Sequence, residues 1–166
     1  MNDLSRLTNE DKDARERIES AAKDMVARTC SWSDMNTGSW NIDGLNAFSG
    51  VLADAFSELD ADIRLQEAPG FDTIDSSGNI QTIHTAPILR ASARMAAPVQ
   101  IVLTGHYDTV FPKGTFEGVT DLGDGRFNGP GLADMKGGLC VMLEALKAFE
   151  AGPFRDRLGY QALISA

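Results

Sequence analysis

An apolar, β-branched run, Val99-Gln100-Ile101-Val102-Leu103, and a second apolar run at residues 158–165 bracket a glycine-rich stretch and one amphipathic segment. Strand, loop, helix, strand in that order implies a parallel pair joined by a crossover, because a tight turn cannot return the chain in parallel register. The bracketed helix is expected at residues 135–151, with Leu139, Met142, Leu143, Leu146 and Phe149 on its inner face and Gly152-Pro153 as its stop. This element order makes the fold α/β. Residues 100–104 read as a buried central strand.

Two more helices are expected upstream. Residues 9–27 place Ile18, Ala21, Ala22, Met25 and Val26 on one face, with Thr8 or Asn9 as the cap and acidic residues in the first turns. Residues 45–59 do the same with Phe48, Leu52, Ala55, Phe56 and Leu59. Residues 31–44 between them read as an ordered loop whose two tryptophans, Trp32 and Trp40, call for burial. Short extended pieces are expected at 63–66, 80–85 and 88–93, and a long functional loop at 114–131, where Gly, Asp and Asn crowd. There is no internal repeat and no low-complexity tract.

The totals narrow the function classes. A chain of 166 residues fits one domain or part of a larger one. Fifteen basic against 24 acidic residues give a net charge of -9 with no basic cluster, which argues against nucleic acid and against an anionic membrane surface. Two distant cysteines, Cys30 and Cys140, define neither a disulfide framework nor a zinc cluster, and Cys140 reads as helix core. The polar start from Met1 to Asp13 has no apolar run of a secretory signal, and no apolar stretch reaches the roughly 18 residues of a membrane span. The expected localisation is cytoplasmic.

Chemistry concentrates at two places. Gly105-His106-Tyr107-Asp108-Thr109-Val110 follows the first buried strand and sets an imidazole and a carboxylate two residues apart at a strand tip. One nitrogen of His106 suits a metal while a carboxylate at the other fixes the tautomer; alone, the pair is weak evidence, and a structural hydrogen bond is its simpler reading. Asn128-Gly129-Pro130-Gly131-Leu132-Ala133-Asp134-Met135-Lys136-Gly137-Gly138 opens the next helix. Asp134 there is either a helix cap or a carboxylate held at the mouth of the sheet, able to offer one oxygen to each of two metals. Neither His84, in a polar stretch, nor Ser76, Ser77 or Ser92 has the context of a site, and Lys136 reads as a solvated side chain. The glycines at 123–131 do not have dinucleotide spacing, and Lys136-Gly137 is in the wrong order for a phosphate loop.

Together, His106-Tyr107-Asp108-Thr109-Val110 and Gly129-Pro130-Gly131-Leu132-Ala133-Asp134-Met135-Lys136-Gly137-Gly138 resemble the zinc metallopeptidase family of glutamate carboxypeptidase, aminoacylase and acetylornithine deacetylase. The Gly-Pro-Gly form and the upstream Asn36-Thr37-Gly38-Ser39 are most similar to the glutamate carboxypeptidase branch. The resemblance implies a three-layer domain with a mixed, mostly parallel sheet between helices. It implies that residues 1–166 are the N-terminal portion of the catalytic domain, with the rest of that domain and a dimerisation or lid domain beyond Ala166. It implies metal ligands at His106 and Asp134, with Asp134 bridging two zincs, Asp108 orienting His106, and a cis peptide at Asp134-Met135. Cobalt or manganese are alternatives to zinc. A glutamate pair, one the general base, and further ligands are expected after Ala166. The implied substrate is a small peptide or N-acyl amino acid, and the complete protein a homodimer. The 166 residues alone are expected to be inactive and, with a sheet edge unpaired, prone to self-association. Two readings of another kind stand beside the enzyme: a non-catalytic short form that binds a partner, and a homologue that has lost catalysis.

Overall fold

The computed structural model describes residues 7–166; the polar start at residues 1–6, part of the argument against a leader, lies outside them. Helix α1 (Asn9–Asp34) opens with Thr8 as its cap: the hydroxyl accepts from the Asp11 amide at 3.2 Å, and the Asp11 carboxylate accepts from the Thr8 amide at 3.0 Å. The helix runs past residue 27, where the loop was expected, to Asp34. Trp32 lies two turns after Met25 on the same face, is buried, and meets Phe48 edge-on with ring centroids 5.9 Å apart, so tertiary packing prolongs the helix. Trp40 does not follow the expectation of burial: it is 74% exposed on the turn after α1. Helix α2 (Ile42–Phe56) starts earlier than expected because the Asn41 side chain caps it, accepting from the Gly44 amide at 3.3 Å. It buries Leu45, Phe48, Leu52 and Phe56.

Eight strands follow, with α3 before the last: β1 (Asp62–Gln66), β2 (Phe71–Ile74), β3 (Ile80–Ile83), β4 (Ile88–Ala93), β5 (Val99–His106), β6 (Thr120–Gly123), β7 (Arg126–Asn128), α3 (Gly137–Glu150) and β8 (Leu158–Ser165). Four of the strands form one sheet in the order β1-β4-β8-β5. The crossover expected from the element order is present: β5 and β8 run parallel, from Val99 beside Leu158 to His106 beside Ser165, with α3 between them in sequence. β1 and β8 flank β4 antiparallel, so the sheet is mixed and its parallel part within the described residues is this one pair.

The alternating residues Leu89, Ala91, Ala93 of β4 and Tyr160, Ala162, Ile164 of β8 join Phe48, Leu52, Leu139 and Leu143 of the helices in a single buried core. α2 and α3 therefore pack on one face of the sheet, with α1 against α3, and the α/β class with a mixed sheet is as expected. β5 corrects a further expectation. Among the described residues it is an edge strand with a partner on one side only, and Val102 on its open face is 62% exposed. The 114–131 stretch is not a plain loop: it carries the β6–β7 hairpin, whose turn places Asp124 and Gly125 at positive φ of 54° and 72°. The carboxyl ends of β5 and β8 lie side by side, His106 beside Ser165, and the turn that opens α3 packs on β5.

Candidate active site

The tip of β5 sorts its side chains by the two-residue period of extended backbone. Tyr107 turns inward, fully buried, and its hydroxyl donates to the Pro87 carbonyl at 2.7 Å. Its amide continues the parallel ladder by donating to the Ser165 carbonyl at 2.8 Å. Burial first, and then the Asp108 charge, push the Tyr107 phenol up to about 12, so it stays a neutral anchor. With Tyr107 pinned, His106 and Asp108 fall on the same side. The His106 Nδ1 lies 3.0 Å from an Asp108 carboxylate oxygen. Gly105, one step earlier, lets Leu139 pack close, since a Cβ there would sit 2.7 Å from the end of that side chain.

The second carboxylate arrives from the turn Leu132–Lys136 that leads into α3. Gly131 enters it in the left-handed conformation, φ 75°, and a Cβ there would stand 2.9 Å from the Thr109 methyl, so both the backbone and the close approach call for glycine. The peptide after Asp134 is cis, as the family resemblance implies. Asp134 is not the helix cap: α3 has no side-chain cap, and the carboxylate instead lies 3.1 Å from Nε2 of His106. The imidazole is thus flanked by a carboxylate at each nitrogen. Burial works against its charged form, but the hydrogen bonds and charges of Asp134 and Asp108 together outweigh burial and raise the His106 pKa.

His106, Asp108 and Asp134 line a cleft of about 310 Å³ with Thr109, Phe111 and Gly131. The sequence-based candidates are therefore together in one place. His84 is elsewhere, exposed in the stretch after β3. Among the described residues no group of three His, Cys, Asp or Glu side chains converges as a metal cluster would. The donor set of His106 and Asp134 nevertheless fits one shared ion. Zinc bonds to nitrogen and carboxylate oxygen are about 2.0–2.2 Å, and an ion bonded to both atoms can span the 3.1 Å between them.

Two neighbours escaped the sequence reading. Ser39 donates its hydroxyl to the second Asp108 oxygen at 2.6 Å, across a separation of 69 residues that no local pattern signals. Lys136, expected in solvent, is fully buried. Its ammonium donates to the Trp32 and Met35 carbonyls at 2.9 and 2.8 Å and stands 4.7 Å from the Phe48 ring centroid. Burial pushes its pKa down to about 8. The orphan carbonyls at the end of α1 supply the partners, a signal visible only once α1 is known to reach Asp34.

Residues 102–161 match the profile of Peptidase family M20/M25/M40. No curated protein matches the chain in sequence. Among solved structures, a di-peptidase from Saccharomyces cerevisiae superposes with a TM-score of 0.72 at 15% identity, covering 93% of this chain and 34% of its own. Human carnosine dipeptidase 1 gives 0.71 at 18% identity, covering 96% of this chain and 35% of its own. A glutaminyl cyclase from Macrostomum lignano gives 0.58 at 15% identity, with 92% and 40% covered. The chain spans about a third of the length of the two dipeptidases. These likenesses carry the architecture and not the reaction, since one fold hosts both kinds of enzyme. The matched stretch 102–161 holds both motifs, so the chain is similar there to Peptidase family M20/M25/M40, in line with the resemblance read from its sequence.

Proposed function

We propose that this chain contributes to a metal-dependent hydrolase that cleaves the amide bond of a small peptide or N-acyl amino acid. The observation that carries the reading is the His106 imidazole set between two carboxylates, 3.1 Å from Asp134 and 3.0 Å from Asp108. His106 and Asp134 would hold the metal, zinc in the first instance and cobalt or manganese as alternatives, with Asp134 offering its second oxygen to another ion. When bound, such ions polarise a carbonyl and lower the pKa of water. Asp108 keeps the Nδ1 proton in place and so presents the Nε2 lone pair to the cleft. Phe111 and Gly131 stand on the wall of the same cleft. The general base, the remaining ligands and a dimerisation or lid domain belong to the whole protein, of which these residues are the N-terminal catalytic portion.

A second reading has its own observation. Among the described residues His106 and Asp134 are the two side chains placed to hold an ion, with Asp108 turned to the imidazole, which suits a module that binds a partner without catalysis as well as it suits part of an enzyme. Cobalt(II) titration followed by visible absorption separates the two. The enzyme reading expects saturable binding that is lost in both His106→Ala and Asp134→Ala, and no chelator-sensitive amidase activity from the 166 residues alone. A wild-type protein that binds no more cobalt than either variant would overturn it.

A further inference from the structure

We propose that Ser39 is a positioning residue of this site, holding the Asp108 carboxylate so that its other oxygen fixes the His106 ring; the proposal rests on the metal-site reading above. The Asp108 carboxylate divides its oxygens: Oδ1 lies 3.0 Å from Nδ1 of His106, and Oδ2 accepts from the Ser39 hydroxyl at 2.6 Å. The shorter distance is that of a charge-assisted O–H···O⁻ bond, whereas the other acceptor near this hydroxyl, the Thr109 carbonyl, is at 3.2 Å. Among the described residues no lysine or arginine pairs with Asp108, and its only ion-pair partner is His106. A carboxylate held through one oxygen turns easily about its last torsion, which is broad. Bonding the second oxygen removes that freedom.

The backbone shows that Ser39 is fixed where it can do this. Residues 36–39 lie against the tip of β5 as a short parallel bridge, Gly38 beside Thr109. The Thr109 amide donates to the Thr37 carbonyl at 2.8 Å, and the Ser39 amide donates to the Thr109 carbonyl at 3.0 Å. The turn is closed from its other end, where the Asn41 amide donates to the Gly38 carbonyl at 2.7 Å and its side-chain amide to the Asn36 carbonyl at 3.0 Å. Gly38 itself is packed so tightly on the Phe111 carbonyl that a Cβ would collide with it. A serine on a turn stitched this firmly presents its hydroxyl from a set position, and Asp108 lies in front of it.

The experiment uses two readouts. Cobalt(II) affinity is measured by competition with a coloured chelator for the wild type, Ser39→Ala, Ser39→Thr and Ser39→Cys, with His106→Ala as the site control. Ring nitrogen signals of ¹⁵N-histidine-labelled, metal-free protein are recorded for the same set; the chain has two histidines, and His84 serves as internal reference. The expected result is an affinity about tenfold weaker for Ser39→Ala, retained within about twofold by Ser39→Thr and intermediate for the weak donor of Ser39→Cys. The His106 ring signals should move in Ser39→Ala, stay in Ser39→Thr, and leave His84 unchanged. Unmoved His106 signals in Ser39→Ala would overturn the role of Ser39 whatever the metal does. Equal cobalt affinity in wild type and His106→Ala would instead overturn the metal reading, with the nitrogen signals still deciding on Ser39.

Discussion

Lys136 carries an ammonium into the interior, where a charge is tolerated only with partners. Its two carbonyl acceptors close the end of α1, and its position two residues after Asp134 ties that helix to the turn bearing the carboxylate. Lys136→Met keeps the apolar stem and removes the donor, leaving the Trp32 and Met35 carbonyls short of a bond. The cost should be about 1–3 kcal/mol. For a chain of this length that lowers the midpoint of thermal unfolding by roughly 2–4 °C per kcal/mol, read by calorimetry; an unchanged midpoint would mean that the lysine is only accommodated. The same residue shows where sequence reasoning stops. His106, Asp108 and Asp134 were legible because each sits in a motif on a local element. The destination of Lys136 and the contact of Ser39 depend on segments 104 and 69 residues away, and no periodicity encodes such meetings.

At the scale of elements, the start of α1 offers a clean test, because its capping box is exposed and remote from the cleft. Thr8→Ala should cost about 1 kcal/mol at neutral pH. The amide and hydroxyl of Thr8 hold the Asp11 carboxyl below the ordinary value of 3.8. A carboxylate with a depressed folded pKa contributes stability that is fully present above 3.8 and is lost as pH falls through the folded value. Urea unfolding of wild type and Thr8→Ala should therefore show a gap that is constant from neutral pH down to about pH 5 and narrows below about pH 4. A gap independent of pH would remove Asp11 from the account. The three helices and the strands of the four-stranded sheet were readable from spacing, and β8 was placed to the residue, whereas the exposed strands β2, β6 and β7 carry no apolar period and were missed. The ends were less readable, since α1 is prolonged by the packing of Trp32 on Phe48, a contact between helices. β5 read as central because its sequence is apolar on both faces, although one face and one edge lack a neighbour here.

Seen whole, the described residues set helices on a four-stranded sheet, with two hairpins beside it, and leave β5 open along its outer edge with Val99 and Val102 exposed. Unpaired amides next to exposed valines are a template for another strand. Sedimentation velocity over a range of concentrations should reveal self-association, and Val102→Lys should suppress it without loss of helix content by circular dichroism. A monomer at all concentrations would mean that the edge is protected by its own twist. The cleft, in turn, has no local existence. Its walls come from the tip of β5 and the entry to α3, with the turn at 36–39 bonded to Asp108 behind them, three stretches that meet only through the completed fold. An unfolded chain has nothing comparable to offer a cation, so every bound ion would draw the population toward the native state. The colour of a bound cobalt would then count native molecules, fading in step with the loss of the fold.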